Sequence, residues 1–287
     1  MLSYTLIDSG DFEKLEIIGE YKIIRPSLGS AYKKAKPDLW KSVDAHYRKN
    51  EKGSGSWTFH KKIAENFLIQ VNNFTVKIKL TPFGHIGIFP EQDNNWNLIQ
   101  KLGKIKNDFE VLNLFAYSGL SSLSALKVDY SICHVDSSKG MISWAKENAE
   151  ASNLLQKKIR WIEDDVLKFL KREVKRGKVY KGFILDPPTF GRGANGEIWK
   201  IETDLLPLLE EIMSLCAHKP EFIILSCHSS GFSPLTLSRI LESLVKSKGK
   251  FYSTELSIPE QSGKSLPCGF SSYFLGENYS KIDPLNP

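Results

Sequence analysis

From residue 111 onward the apolar positions keep two alternating rhythms. Residues 111–115 are a largely apolar run, short enough for a buried parallel strand. After Ser118 and Gly119 the spacing of Leu120, Leu123 and Leu126 becomes helical. The alternation recurs. Strands are predicted over 131–135, 159–162, 183–186 and 222–226, with two last ones over 251–256 and 271–275. Helices are predicted over 138–153, 166–175, 199–215 and 234–245; the first places Ile142, Ala145 and Ala149 inward and is capped by Ser137 or Ser138. Strands alternating with helices demand an α/β fold with a mostly parallel, doubly wound sheet. The first 80 residues keep a different rhythm. Short strands flank Gly19 within 16–24, and a hairpin is predicted from 67–70 and 74–80 around Asn72 and Asn73. Two domains follow: a small β-rich one over 1–92, then the α/β domain over 93–287, entered by a helix over 93–102.

Composition refines this only modestly. The 287 residues, 41% hydrophobic and 25% charged, suit a globular chain. Cys133, Cys216, Cys227 and Cys268 are scattered, without zinc or disulfide spacing, so no metal and a reducing cytoplasm are expected. No basic-then-apolar leader opens the sequence, and no apolar run approaches the roughly 20 residues that span a bilayer. Net charge of +6 permits a polyanionic partner. Residues 31–48 interleave Tyr32, Trp40 and Tyr47 with lysines and Arg48; they either stack bases and track phosphates or form a segment pinned by its aromatics. Seven cations between Lys168 and Lys181 are either a solvated helix face or a phosphate contact. Residues 49–56 and 191–196 read as exposed loops, the second basic and suited to closing over a substrate. Oligomeric state is not written in these patterns.

The chemistry is placed at the ends of the strands. A strand turning sharply into a helix leaves backbone N–H groups at the C-terminal edge of the sheet, where open α/β folds bind ligands. Asp136 ends the second strand, where a carboxylate can accept both hydroxyls of a ribose. The loop has one glycine where a dinucleotide binder needs two or three, which favours a nucleoside cofactor. Asp164-Asp165-Val166 follows the third strand, and Ile184-Leu185-Asp186-Pro187-Pro188-Thr189-Phe190 closes the fourth.

Four ordered blocks carry a resemblance: Asn113-Leu114-Phe115-Ala116-Tyr117-Ser118-Gly119, Val135-Asp136-Ser137-Ser138-Lys139, Asp164-Asp165-Val166 and Leu185-Asp186-Pro187-Pro188. Over about residues 85–275 the chain resembles class I S-adenosylmethionine-dependent methyltransferases, in the branch that includes the large-subunit ribosomal RNA cytosine-C5 enzymes. The resemblance implies a Rossmann-like sheet of seven strands with the last antiparallel, S-adenosylmethionine as donor and S-adenosylhomocysteine as product. Phe115–Gly119 would then cradle the cofactor, Asp136 with Ser137 and Ser138 would meet the ribose, and Asp164, Asp165 and Val166 the adenine. Phe89 and Gln92 match an element packed over the cofactor in related enzymes.

Asp186 and Pro187 would sit against the sulfonium, the prolines leaving carbonyls free to accept, with Pro188, Phe190 and Arg192 on the substrate side. Cys227, in Ser226-Cys227-His228, matches the thiol that attacks a pyrimidine ring in the cytosine-C5 enzymes; alternatively it is a buried strand-end cysteine. His228 is its neighbour, but neighbours on a strand point to opposite faces. The leading expectation is therefore RNA methylation at cytosine C5, with Asp186 orienting the base. Methylation of an exocyclic or protein amine is the second. A nicotinamide-dependent oxidoreductase and a non-catalytic RNA-binding module are readings from other classes.

Overall fold

The computed structural model describes residues 3–50, 54–193 and 196–285, so 51–53 of the first expected loop and 194–195 of the second lie outside the described residues. The chain forms two compact units, Met1–Glu91 with Leu256–Cys268, and Gln92–Glu255 with Gly269–Pro287.

In the first unit β1 (Tyr4–Gly10), β2 (Glu13–Ile18) and β3 (Tyr21–Pro26) form an antiparallel meander, extended by β4 (Ala45–Lys49) and β5 (Gly55–Phe59). A separate hairpin joins β6 (Phe67–Val71) to β7 (Phe74–Ile78), where Asn72 and Asn73 both adopt positive φ. Ile7, Leu15, Ile24 and Trp40 make one small core; Leu6 with Ile258 and Leu266 makes another, which ties the late segment to this unit. The basic, aromatic stretch is pinned. Asp8, fully buried, accepts from the N–H groups of Ala35 and Lys36 and from Trp40 Nε1. Lys34 pairs with Glu13 and lies over the Trp40 ring. Trp40, Tyr47 and Lys34 thus serve the fold, while Lys33, Lys36, Lys41 and Arg48 stay exposed.

The second unit begins with α1 (Asp93–Ile105). Then come β8 (Glu110–Leu114), α2 (Leu120–Lys127), β9 (Ser131–Asp136), α3 (Lys139–Ala151), β10 (Ile159–Glu163), α4 (Val166–Lys175) and β11 (Gly182–Leu185). A short hairpin follows, β12 (Phe190–Arg192) with β13 (Ile198–Lys200). The chain continues through α5 (Ile201–Ser214), β14 (Phe222–Cys227), α6 (Pro234–Leu244), β15 (Gly249–Pro259) and β16 (Ser265–Gly276), of which 256–259 and 265–268 belong to the first unit. The sheet has seven strands in the order β10-β9-β8-β11-β14-β16-β15. The first five are parallel, and β16 runs antiparallel to β14. Order reverses between β8 and β11, the switch point where such sheets bind ligands.

Local chemistry starts the helices. Ser138, Asp165 and Ser233 each accept an N–H of the first turn of α3, α4 and α6, and Pro234 opens α6 where no N–H is needed. On one face of the sheet Leu112, Phe183, Leu185, Ile223 and Leu225 pack with α4, α5 and α6 in the main core. The hairpin β12–β13 was not anticipated, since three-residue strands carry too short a pattern to read. Among the described residues no helix is long and apolar enough to cross a membrane.

Candidate cofactor and acceptor site

At the end of β8 the backbone bends through left-handed conformations at Phe115 (φ 56°), Tyr117 (φ 50°) and Gly119 (φ 95°). The two non-glycine positions each cost about 1–2 kcal/mol, so the surroundings must hold them. They do. Ala116 N–H donates to the Val135 carbonyl (3.1 Å), Gly119 N–H to the Ala116 carbonyl (3.1 Å), and the buried Asn148 amide to the Ser118 carbonyl (2.9 Å). Gly119 admits no side chain: besides its φ, a Cβ would stand 2.9 Å from the Ala145 Cβ. Beneath the loop Asn113 donates to Ser122 Oγ (2.9 Å), which meets His134 Nδ1 at 2.9 Å. Asn113 thus braces the loop from below.

Asp136 completes this half. Its Oδ2 accepts the Tyr117 N–H and its Oδ1 the Ser138 N–H, both at 2.9 Å. Burial pushes its carboxyl up, and those two N–H groups oppose the rise. A carboxylate has about four lone-pair sites, so each oxygen keeps one for a ribose hydroxyl. Ser137 is exposed, whereas Ser138 caps α3.

Next to it Ser137, Asp164, Asp165, Lys168 and Glu197 line a depression of about 120 Å³. Asp165 Oδ1 accepts the Lys168 N–H (2.9 Å) as the α4 cap, leaving Oδ2 for an amine. Asp164 pairs with Arg172, and Lys168 with Glu197. The Val166 side chain is buried in the main core and brings only its backbone to this edge. Of the seven cations between Lys168 and Lys181, four have acidic partners: Lys168, Arg172, Arg176 (with Glu173) and Lys178 (with Glu110). The cluster is far less positive than its sequence.

At β11 a second half assembles around Asp186. Gln92 Nε2 donates to its Oδ2 (3.2 Å). His228 Nε2 stands 3.3 Å from Oδ1, in ion-pair range, yet Oδ1 is a buried atom without a hydrogen-bond donor among the described residues. Gln92, expected beside the cofactor, is therefore a partner of Asp186. Its Oε1 accepts from Asn95 Nδ2 (2.7 Å) and from Ser226 Oγ (3.3 Å), and Tyr273 OH donates to Asn95 Oδ1 (2.8 Å). Asn95 and Tyr273 escaped the sequence reading. The signal for Asn95 was present: it is the polar member of the inward stripe Asn95, Leu98, Ile99 and Leu102 of α1, all buried.

The segment after Asp186 is tied down. The Pro188 carbonyl, expected to serve a substrate, accepts from Trp199 Nε1 (2.6 Å), and the Trp199 ring packs 5.0 Å from Phe115. Pro187 is buried and Pro188 exposed. Phe190 (51% exposed), Arg192, Ile198 and Lys200 share the outer face of β12–β13, while Gly191 and Trp199 face inward. Phe89 belongs to the first unit, its ring 5.7 Å from that of His85.

The charge of Asp186 reaches Cys227, whose side chain points into the core. Cys227 is fully buried in the main core with Leu185 and Leu225, on the opposite face of β14 from Ser226 and His228. Burial pushes its thiol up, and Asp186 pushes the same way against the bonds from Ser229. A nucleophilic thiolate needs the reverse environment.

No family model matches the sequence. A solved structure described as the S-adenosylmethionine-dependent methyltransferase from Agrobacterium tumefaciens is 32% identical, with a TM-score of 0.89 over 96% of this chain and 91% of that one. Curated relatives named ribosomal RNA large subunit methyltransferase K/L match as well. The one from Shewanella frigidimarina is 30% identical over 61% of this chain and 24% of its own length. The one from Pseudoalteromonas translucida is 28% identical over 67% of this chain and 26% of its own. The chain spans about a quarter of the length of these curated relatives. The 32% identity and near-complete overlap with the Agrobacterium enzyme set aside a nicotinamide oxidoreductase: the chain belongs to the class I S-adenosylmethionine-dependent methyltransferases.

Proposed function

We propose that this enzyme methylates RNA at a base nitrogen, with Asp186 receiving the acceptor. One observation carries the reading. Among the described residues Asp186 Oδ1 has no hydrogen-bond donor, His228 Nε2 standing 3.3 Å away in ion-pair range, and an acceptor amine brings the missing N–H. When bound, S-adenosylmethionine supplies a methyl group already activated on a sulfonium. The chain's own contribution is alignment, which can supply roughly 7–11 kcal/mol. In this reading Phe115–Gly119 holds the amino-acid end of the cofactor, Asp136 its ribose and Asp165 its adenine. Gln92 fixes one Asp186 oxygen so that the other meets the acceptor. Phe190 and Arg192, exposed on the hairpin, suit stacking on a base and pairing with phosphate.

The RNA acceptor is taken from the ribosomal RNA relatives and from the net charge of +6, and a cytoplasmic site of action goes with it. The choice of nitrogen over cytosine C5 rests on Cys227, whose thiol is buried in the main core and is pushed up by that burial and by Asp186. Labelled methyl transfer to ribosomal RNA, followed by nucleoside mapping, tests both points. The product expected is an N-methylated base. Cys227→Ala should keep kcat within about threefold, while Asp186→Asn should lower it about 10²-fold. A 5-methylcytosine product with an inactive Cys227→Ala would restore the covalent route. Failure of any RNA to accept methyl from an enzyme that binds S-adenosylhomocysteine would remove the RNA reading.

A further inference from the structure

The first unit has a cavity of about 180 Å³ that methyl transfer does not use, lined among others by Lys14, Lys49, Phe83, His85 and Glu91. Phe83 is 75% exposed, yet its loop is tied down by side chains. Three side chains from three strands hold three of its carbonyls. Trp57 Nε1 donates to Thr81 (2.8 Å), Tyr47 OH to Pro82 (3.0 Å) and Arg25 Nη1 to Gly84 (3.1 Å). The Thr81 N–H closes the loop on the His85 carbonyl (2.9 Å). Gly84, at φ 80°, lies so close to Tyr47 that a Cβ would come within 2.6 Å of the ring.

Arg25 is itself locked by two 2.7 Å bonds to the buried Glu16. Burial would raise the Glu16 carboxyl, but Arg25 and Lys14 overcome it and hold it at about 2, so the pair stays charged. The result is an aromatic ring held in water on a rigid pedestal, although folding favours burying it. Beside it His85 has its pKa lowered, by burial first and then by Arg25, Lys49 and Lys14. A neutral imidazole offers one donor and one acceptor to a base edge.

We propose that this cavity receives one unpaired nucleotide of the RNA, its base stacked on Phe83 and its phosphate toward Lys14 and Lys49. This rests on the RNA reading above. The mixture of groups selects the ligand. A bare phosphate would leave the ring unused, and an acidic peptide would meet the Glu91 carboxylate and bring no flat ring. A base edge suits the His85 imidazole, and unpaired bases stack on exposed rings without regard to sequence.

The test is binding of a fluorescent single-stranded RNA oligonucleotide to the full chain across a salt series, with polyglutamate as competitor. Phe83→Ala should weaken binding roughly five- to hundredfold while Phe83→Trp retains it. Lys49→Ala should lower the slope of log affinity against log salt by about 0.7. Calorimetry should find S-adenosylhomocysteine binding unchanged in all three variants. Wild-type affinity and slope in both alanine variants, with RNA methylation intact, would overturn the cavity alone. Polyglutamate competing as well as RNA would also overturn it, by showing charge without stacking. A wild-type chain that binds no RNA would overturn the RNA reading and the cavity together.

Discussion

The two halves of the proposed methyl-transfer site are built in opposite ways. The cofactor half uses near neighbours in sequence: Tyr117 with Asp136 are 19 residues apart, Ser122 with His134 are 12, and Asn148 with Ser118 are 30. The acceptor half uses remote ones: Gln92 with Asp186 are 94 apart, Asn95 with Ser226 are 131, and Tyr273 with Asn95 are 178. The first half holds backbone in strained turns so that N–H groups and one carboxylate face a ligand. The second holds a single carboxylate by a relay of amides and hydroxyls. The contiguous segment from β8 to α3 can therefore carry these contacts as one piece, whereas the acceptor half exists only once the sheet is complete.

Three measurements break or sharpen this contrast. Asp136→Ala removes two charge-assisted bonds and the ribose acceptor, so affinity for S-adenosylhomocysteine should fall about 100-fold by calorimetry. Asn95→Ala leaves Tyr273, Ser226 and Gln92 short of a partner, and stability to urea should drop by about 2 kcal/mol. That variant should also lose kcat while binding S-adenosylhomocysteine nearly as the wild type does; equal loss of both would show that the halves are one network.

A separate effect concerns pH. Burial pushes His134 down to about 3, below the ordinary 6.5, so the unfolded chain takes up a proton that the folded one refuses. The stability tied to neutral His134 is whole above pH 6.5 and is lost as pH falls toward 3, by about 1.4 kcal/mol per unit. His134→Gln should flatten the dependence of the unfolding free energy in that window, and an unchanged slope would mean that the ring protonates in place.

The same contrast explains what could be read from the chain. The blocks at 113–119, 135–139 and 164–166 were legible because each is a local turn whose residue types follow from its backbone. Asp165 shows the limit: its place at the sheet edge was readable, but its role as the α4 cap became visible only with the Lys168 N–H beside it. The Pro188 carbonyl looked free until Trp199 was folded against it. The cations from Lys168 to Lys181 looked like a positive patch until the remote Glu197 and Glu110 were brought among them.

Sequence by itself determined the alternation of strand and helix, the single-glycine bend and the carboxylates at the strand ends. Each is set by side-chain period or by backbone sterics within a few residues. Tertiary structure alone decided which face of β14 each residue meets, placing His228 beside Asp186 and Cys227 in the core. The physical reason is register. Side chains on a strand alternate, so partners far along the chain are chosen only when β14 takes its place between β11 and β16.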